Sequence, residues 1–201
     1  MSKVTNNFHN DFCPQTLFLY GTKKEDGSAD FGLFCWFSYI NVDGKDGSHL
    51  GVMACIGEEK MTKDNIRRTG VFSANLVNEK LLPLADYYGC TSGRAVKDKM
   101  KLSPTIEQGK VLDIPLIAES PVNYELRVLK EIHLAEGSDL FVCEICNVLV
   151  EENLMDKNVP FPERLKLANP VIACGELSYC TTDGRFLGKW GDLRKELKDV
   201  K

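Results

Sequence analysis

The residues able to do chemistry fall into a few short runs. Cys143-Glu144-Ile145-Cys146 has the spacing of half a zinc site or of a redox dithiol. It lies inside an alternating run from Asp139 to Val150, where positions i and i+3 of a strand face opposite sides. Thiols on opposite faces share neither a metal nor a disulfide, so the pair reads as small apolar packing. The other cysteines are scattered and give no second pair at zinc spacing. Histidine is scarce: His9, His49 and His133, none with a Ser, Cys or Asp at recognisable triad spacing. A triad is assembled in space, so spacing alone decides nothing there. No Walker or Rossmann glycine loop is present, and the Asp-Gly pairs at 26–27, 43–44, 46–47 and 183–184 read as turns.

Three other runs suit a ligand. Phe34-Cys35-Trp36-Phe37-Ser38-Tyr39 gathers aromatics around small polar residues, which fits a planar ring; an aromatic core strand fits the same pattern. Lys60-Met61-Thr62-Lys63-Asp64-Asn65-Ile66 sets a cation, a hydroxyl and an amide around a helix start, whose free N–H groups suit phosphate. Asp64 in that first turn suits plain capping instead. Thr91-Ser92-Gly93-Arg94-Ala95-Val96-Lys97-Asp98-Lys99 is a small-residue loop running into cations, either an anion site or a solvated surface.

These runs need elements to hold them. Residues 15–22, 31–40 and 49–56 are apolar and β-prone, separated by the turn clusters at 25–28 and 43–48. Thr62 to Gly70 reads as a short helix with a terminal glycine, residues 71–77 as a strand, and residues 81–89 as a second short helix with Pro83 near its start. From Val111 the chain is again β-like: residues 126–132 alternate, residues 139–150 form the longest strand candidate, and residues 177–182 the last, after a connection containing Pro160, Pro162 and Pro170. Many closely spaced strands with few helices predict a mainly β protein, a β-barrel with a few short helices.

Composition narrows the class. The chain has 201 residues, 43% of them hydrophobic, with 25 Lys+Arg against 29 Asp+Glu and a formal net charge of −4. That length and the absence of a linker predict one domain over 1–201 with a buried core, and the acidic balance argues against nucleic acid. No signal-peptide pattern opens the sequence and no stretch is long enough to span a bilayer, so the expectation is a cytoplasmic protein with no membrane contact and mostly reduced thiols.

Taken in order, the segments resemble the flavin reductase-like family, most closely its flavoredoxin-type members. The resemblance is carried by the opening strand 17–22, then Phe34-Cys35-Trp36-Phe37-Ser38. Thr62-Lys63-Asp64-Asn65-Ile66 with Thr69-Gly70-Val71-Phe72-Ser73-Ala74-Asn75 is its most specific element. Ser92-Gly93, Asp98-Lys99 and the run 115–126 follow, so the likeness extends from about Pro14 to Gly191. It implies an FMN-binding split barrel, with a short N-terminal arm and a charged C-terminal tail outside that core. FMN would be held non-covalently at a homodimer interface, and hydride or electrons would pass through it.

The same resemblance implies that Phe34, Cys35, Trp36, Phe37 and Ser38 line the flavin with Cys55 and Ile56. Lys60, Thr62 and Asn65 would lie at its ribityl-phosphate end, with Ser92 and Gly93 close by. The hard chemistry would be the cofactor's, so no catalytic side chain and no metal ligand is named. NAD(P)H or a redox partner protein would exchange electrons with it. A non-enzymatic flavin electron carrier, or a split-barrel module for another planar ligand, is the alternative. The sequence departs from many members at Gly137-Ser138-Asp139-Leu140, where they carry Gly-Asp-His, and at Cys143, where glycine is usual.

Overall fold

The computed structural model describes residues 2–5, 12–44, 47–182 and 184–185. His9, Asp46, Asp183 and everything from 186 onward, including the expected end of the core at Gly191, lie outside the described residues. In chain order the strands are β1 (Gln15–Thr16), β2 (Phe18–Lys23), β3 (Ala29–Phe34), β4 (Phe37–Gly44), β5 (Gly47–Gly57), β6 (Val71–Leu76), β7 (Ile106–Gln108), β8 (Pro115–Ile117), β9 (Val122–Ala135), β10 (Ser138–Val150), β11 (Val171–Cys174) and β12 (Ser178–Thr181). The helices are α1 (Met61–Thr69), α2 (Leu82–Cys90) and α3 (Phe161–Ala168).

Seven strands form one antiparallel sheet in the order β3-β2-β6-β9-β10-β5-β4. Local chemistry sets its hairpins. Asp26 Oδ1 accepts the Ser28 amide at 2.9 Å and closes the β2–β3 turn. Gly137, at φ 70°, supplies the left-handed residue between β9 and β10. The β9–β10 pairing changes register between Val142 and Cys143 and between Ile145 and Asn147, and such bulges bend a long hairpin.

The sheet closes on itself at one place. β3 and β4 are its two edges, yet only Cys35 and Trp36 separate them along the chain. Three residue steps reach roughly 11 Å at most, so the sheet must curl until its edges almost meet. The sequence predicts a single strand over 31–40. The structure breaks it at this dipeptide: Phe34 pairs with Phe18 on one side, and Phe37 with Ala54 on the other. Aromatic packing holds the join, with ring centroids 4.6 Å apart for Tyr20–Phe34 and 4.4 Å for Phe18–Phe37. Tyr20, Val52, Ala54, Ile56, Phe72, Leu126, Phe141 and Cys143 fill the interior. The result is a split barrel, mainly β, as the sequence predicts.

A second apolar cluster, with Leu19, Phe31, Val77, Ala85 and Tyr88, seats α2 outside the barrel. Both helices predicted from the sequence form, and Gly70 at φ 70° ends α1. α3 is a difference: its stretch reads as a proline-containing connection. Pro160 at the N-cap and Pro162 in the first turn are tolerated there because the first turn needs no N–H donors. Among the described residues no helix is long and apolar enough to cross a membrane.

Candidate functional site

α1 begins at Met61 with Lys60 as an extended N-cap, and no side chain caps the helix. The Lys63 and Asp64 amides turn back to the Lys60 carbonyl. Those of Met61 and Thr62 have neither an intrahelical acceptor nor a side-chain one, and the helix dipole adds partial positive charge. β3 runs directly against this turn. A Cβ on Gly32 would lie 2.8 Å from Thr62 Oγ1, so only glycine permits so close an approach. The loop after α2 closes the third side, held by an ion pair between Arg94 and Asp64. A Cβ on Gly93 would meet Asp30 Oδ1 and Met61 Sδ at 3.2 Å.

Between these three elements lies a cleft of about 240 Å³, lined by Asp30, Phe34, Lys60, Met61, Thr62, Ser92, Gly93 and Lys99 among others. Its floor holds a buried ion pair, Lys99 Nζ to Asp30 Oδ1 at 3.4 Å. The Lys99 ammonium also donates to the Phe31 carbonyl and sits 5.4 Å above the Tyr88 ring. Burial pushes the Asp30 carboxyl up and the Lys99 ammonium down, each shift partly offset by the other's charge. Asp30 Oδ2 is buried with no hydrogen-bond partner.

The structure thus brings Phe34, Lys60, Thr62, Ser92 and Gly93 into one cleft. Cys35 and Trp36 open instead into a larger cavity of about 720 Å³, which shares Leu33 and Phe34 with the cleft and is otherwise walled by Leu17 and by β11, β12 and their connecting loop. Trp36, Phe37, Ser38 and Cys55 line a third hollow of about 230 Å³. Ile56 is wholly buried inside the barrel, backbone and side chain alike, and lines none of these spaces. Asn65 lies outside the cleft: its amide donates to Thr22 Oγ1 at 3.0 Å and ties α1 to β2. Asp30 and Tyr88 are in the cleft wall without having been singled out from the sequence. Lys99 was visible only as one cation in a run.

The cysteines separate by environment. Cys143 packs inside the barrel, and Cys146 packs against a third cluster around Leu112 and Ile114. The two therefore face opposite ways, as their spacing in a strand predicts. Burial pushes the Cys143 thiol up to about 12 and raises that of Cys35 as well. Cys35 is accordingly a thiol, not a thiolate, at neutral pH. Neither remaining histidine lines the cleft: His133 Nδ1 lies 2.9 Å from Asp139 Oδ1, and His49 Nε2 lies 3.9 Å from Glu144.

The flavin reductase like domain model matches residues 13–167. The chain belongs to the flavin reductase-like family. Among solved structures, flavoredoxin from Methanosarcina acetivorans is similar at 23% identity and TM-score 0.82, over 98% of this chain and 100% of that one. Flavoredoxin of Desulfovibrio vulgaris (Miyazaki F) is similar at 25% identity and TM-score 0.77, over 95% and 98%. An FMN-binding protein from Thermus thermophilus shares the fold at 19% identity and TM-score 0.72, over 94% and 98%. Two uncharacterised relatives are each 34% identical over shorter stretches. The match spans 44% of this chain and 34% of the Aeropyrum pernix protein, and 49% of this chain and 54% of the Archaeoglobus fulgidus protein. The split barrel is thus the fold of this chain and of its flavin reductase-like relatives.

Proposed function

We propose that the chain holds FMN, with its phosphate at the start of α1 and its ring along the wall from Phe34 to Trp36, and works as an FMN-dependent oxidoreductase. The observation that carries this reading is the cleft: an uncapped helix start beside Lys60, with Phe34 shared between it and the larger, more apolar cavity. The residues present fit the cofactor. A dianionic phosphate meets free amides and the Lys60 ammonium. The unpartnered Asp30 Oδ2 offers an acceptor to a ribityl hydroxyl after a small adjustment. Leu33, Phe34 and Trp36 supply apolar surface for a planar ring.

When bound, FMN supplies the two-electron chemistry. The chain's part is to bind, orient and exclude water. Arg94 on Asp64 holds the loop with Ser92 and Gly93 against α1, and Gly32 lets β3 press on Thr62. No side chain of the cleft is assigned a proton transfer. NAD(P)H or a redox partner protein supplies the electrons in this reading. A second copy of the chain covers the exposed Trp36 at the barrel seam and the exposed Tyr39 and Leu50 farther along β4 and β5.

Mass spectrometry of the supernatant from denatured, freshly purified protein tests the cofactor, and FMN is the expected species. Added FMN should also stabilise the fold by roughly 2.7 kcal/mol at a hundredfold excess over Kd. A colourless protein whose unfolding is indifferent to FMN would sink the proposal. Anaerobic mixing with NADH or NADPH then divides the electron sources. Rapid bleaching of the flavin marks a reductase. Bleaching only by a ferredoxin-like donor marks an electron carrier.

A further inference from the structure

β11 and β12 bring together two cysteines that their sequence spacing does not relate. The strands pair antiparallel, with Ile172 opposite Cys180 and Cys174 opposite Ser178. Cys174 and Cys180 therefore share one face of the ribbon on a diagonal, while Ala173 and Tyr179 share the other. Ala173 packs on the α2 cluster, and Tyr179 donates its hydroxyl to Asp86 at 2.6 Å, so that second face is turned inward. On the outer face the two thiols are diagonal neighbours, and Cys174 Sγ donates to the Ile172 carbonyl at 3.7 Å. Cys180 is exposed and Cys174 half-buried. Cys174 also lines the 720 Å³ cavity with Cys35, Trp36, Leu177 and Tyr179, a largely apolar hollow beside the thiol pair.

We propose that Cys174 and Cys180 are a redox-active dithiol that performs thiol–disulfide exchange on low-molecular-weight disulfides. The exposed Cys180, as thiolate, attacks one sulfur of the substrate disulfide. That S–S bond breaks, and the departing thiolate takes up a proton. Cys174 then loses its proton and attacks the Cys180 sulfur of the mixed disulfide, expelling the second substrate thiol. In sum the substrate S–S bond becomes two thiols, and the two cysteines give up two electrons and two protons to form the Cys174–Cys180 bond.

The order follows from exposure: Cys180 is open to a substrate in solution, and Cys174 is half-buried behind it. The neighbouring Cys180 thiol, then burial, hold the Cys174 thiol above its ordinary range. Capture of Cys180 removes that neighbour and frees Cys174 to resolve. A diagonal pair has Cα atoms farther apart than an unstrained disulfide prefers, so the ribbon must tighten to close the bond. A bond closed under such strain is readily reduced, as an exchanging disulfide must be and a structural one is not.

The test uses the full, reduced chain under anaerobic conditions with oxidised glutathione as the probe, in a background where the exposed Cys13 and Cys90 are replaced by serine. Peptide mapping should find a Cys174–Cys180 link and the release of two glutathione thiols per chain. Cys174→Ser should trap a single glutathione on Cys180, and Cys180→Ser should slow the reaction roughly tenfold or more. The inference is overturned if the link is absent, if glutathione stays bound to the parent chain, or if either serine variant reacts like the parent. Thermal unfolding of both variants, expected unchanged because serine fits the cysteine space, confirms that the folded protein is compared.

Discussion

Asp139 shows how a single buried carboxylate fixes the site from below. At the start of β10 it receives Lys63 Nζ at 2.5 Å and Arg67 Nη2 at 3.0 Å on one oxygen, and faces His133 Nδ1 at 2.9 Å on the other. Lys63 is itself fully buried in α1, so this contact pins the helix whose first turn makes the cleft. The hydrogen bond from Lys63, then that from His133, hold the Asp139 carboxyl down to about 2. Its folded value lies below the unfolded one of about 3.9. The stabilisation is therefore complete above the unfolded value and lost as pH falls through about 2. Asp139→Ala should cost about 3 kcal/mol at neutral pH, at the low end for breaking a buried pair, because Glu59 and the Gly137 carbonyl still accept from Lys63. Urea unfolding of both proteins at neutral pH and between about pH 4 and pH 2 checks it. The two curves should converge in acid, and a constant gap would remove the carboxylate's charge from the explanation.

The decisive element is α1, and more narrowly its first turn. That turn was legible from Thr62 to Gly70, because a helix start and a glycine stop are local signals. Its lack of a side-chain cap was not, since Thr62 and Asp64 are both capping types and only the backbone shows that neither caps. If a phosphate sits there, reversing the charge at Lys60 should discriminate between ligands. Lys60→Glu is expected to weaken FMN by about tenfold, roughly 1.4 kcal/mol, and to leave riboflavin, which has no phosphate, nearly unchanged. Fluorescence titration with both flavins reads the difference. Equal losses for the two would move the phosphate elsewhere.

At the scale of the whole molecule, the seam between β3 and β4 organises everything else. Phe34 ends one edge strand, stacks on Tyr20 inside the barrel and also forms the wall common to the cleft and the larger cavity. Phe34→Ala should destabilise the fold by about 3–5 kcal/mol through the void it leaves, measured as a shift of the urea midpoint at unchanged slope. A cost below about 1 kcal/mol would mean that the two edges are not held by aromatic packing.

The sequence alone determined the composition of the molecule's parts: a mainly β chain, two of the three α-helices among the described residues, the turns, and the short runs at 34–38, 60–66 and 91–99. These depend on neighbours within a few positions, where alternation, capping and glycine act directly. Only the tertiary structure decided how the runs are grouped. It split 34–38 among three hollows, because a chain crossing the barrel seam points successive side chains into different spaces. It withdrew Ile56 into the core and Asn65 into the α1–β2 contact. It added Asp30, whose Oδ1 meets Lys99 and faces Gly93, both arriving from far along the chain, while Oδ2 stays unpartnered. It also turned scattered cysteines into one pair, since the partner of Cys174 is set by strand register, a property of two strands together and of neither alone.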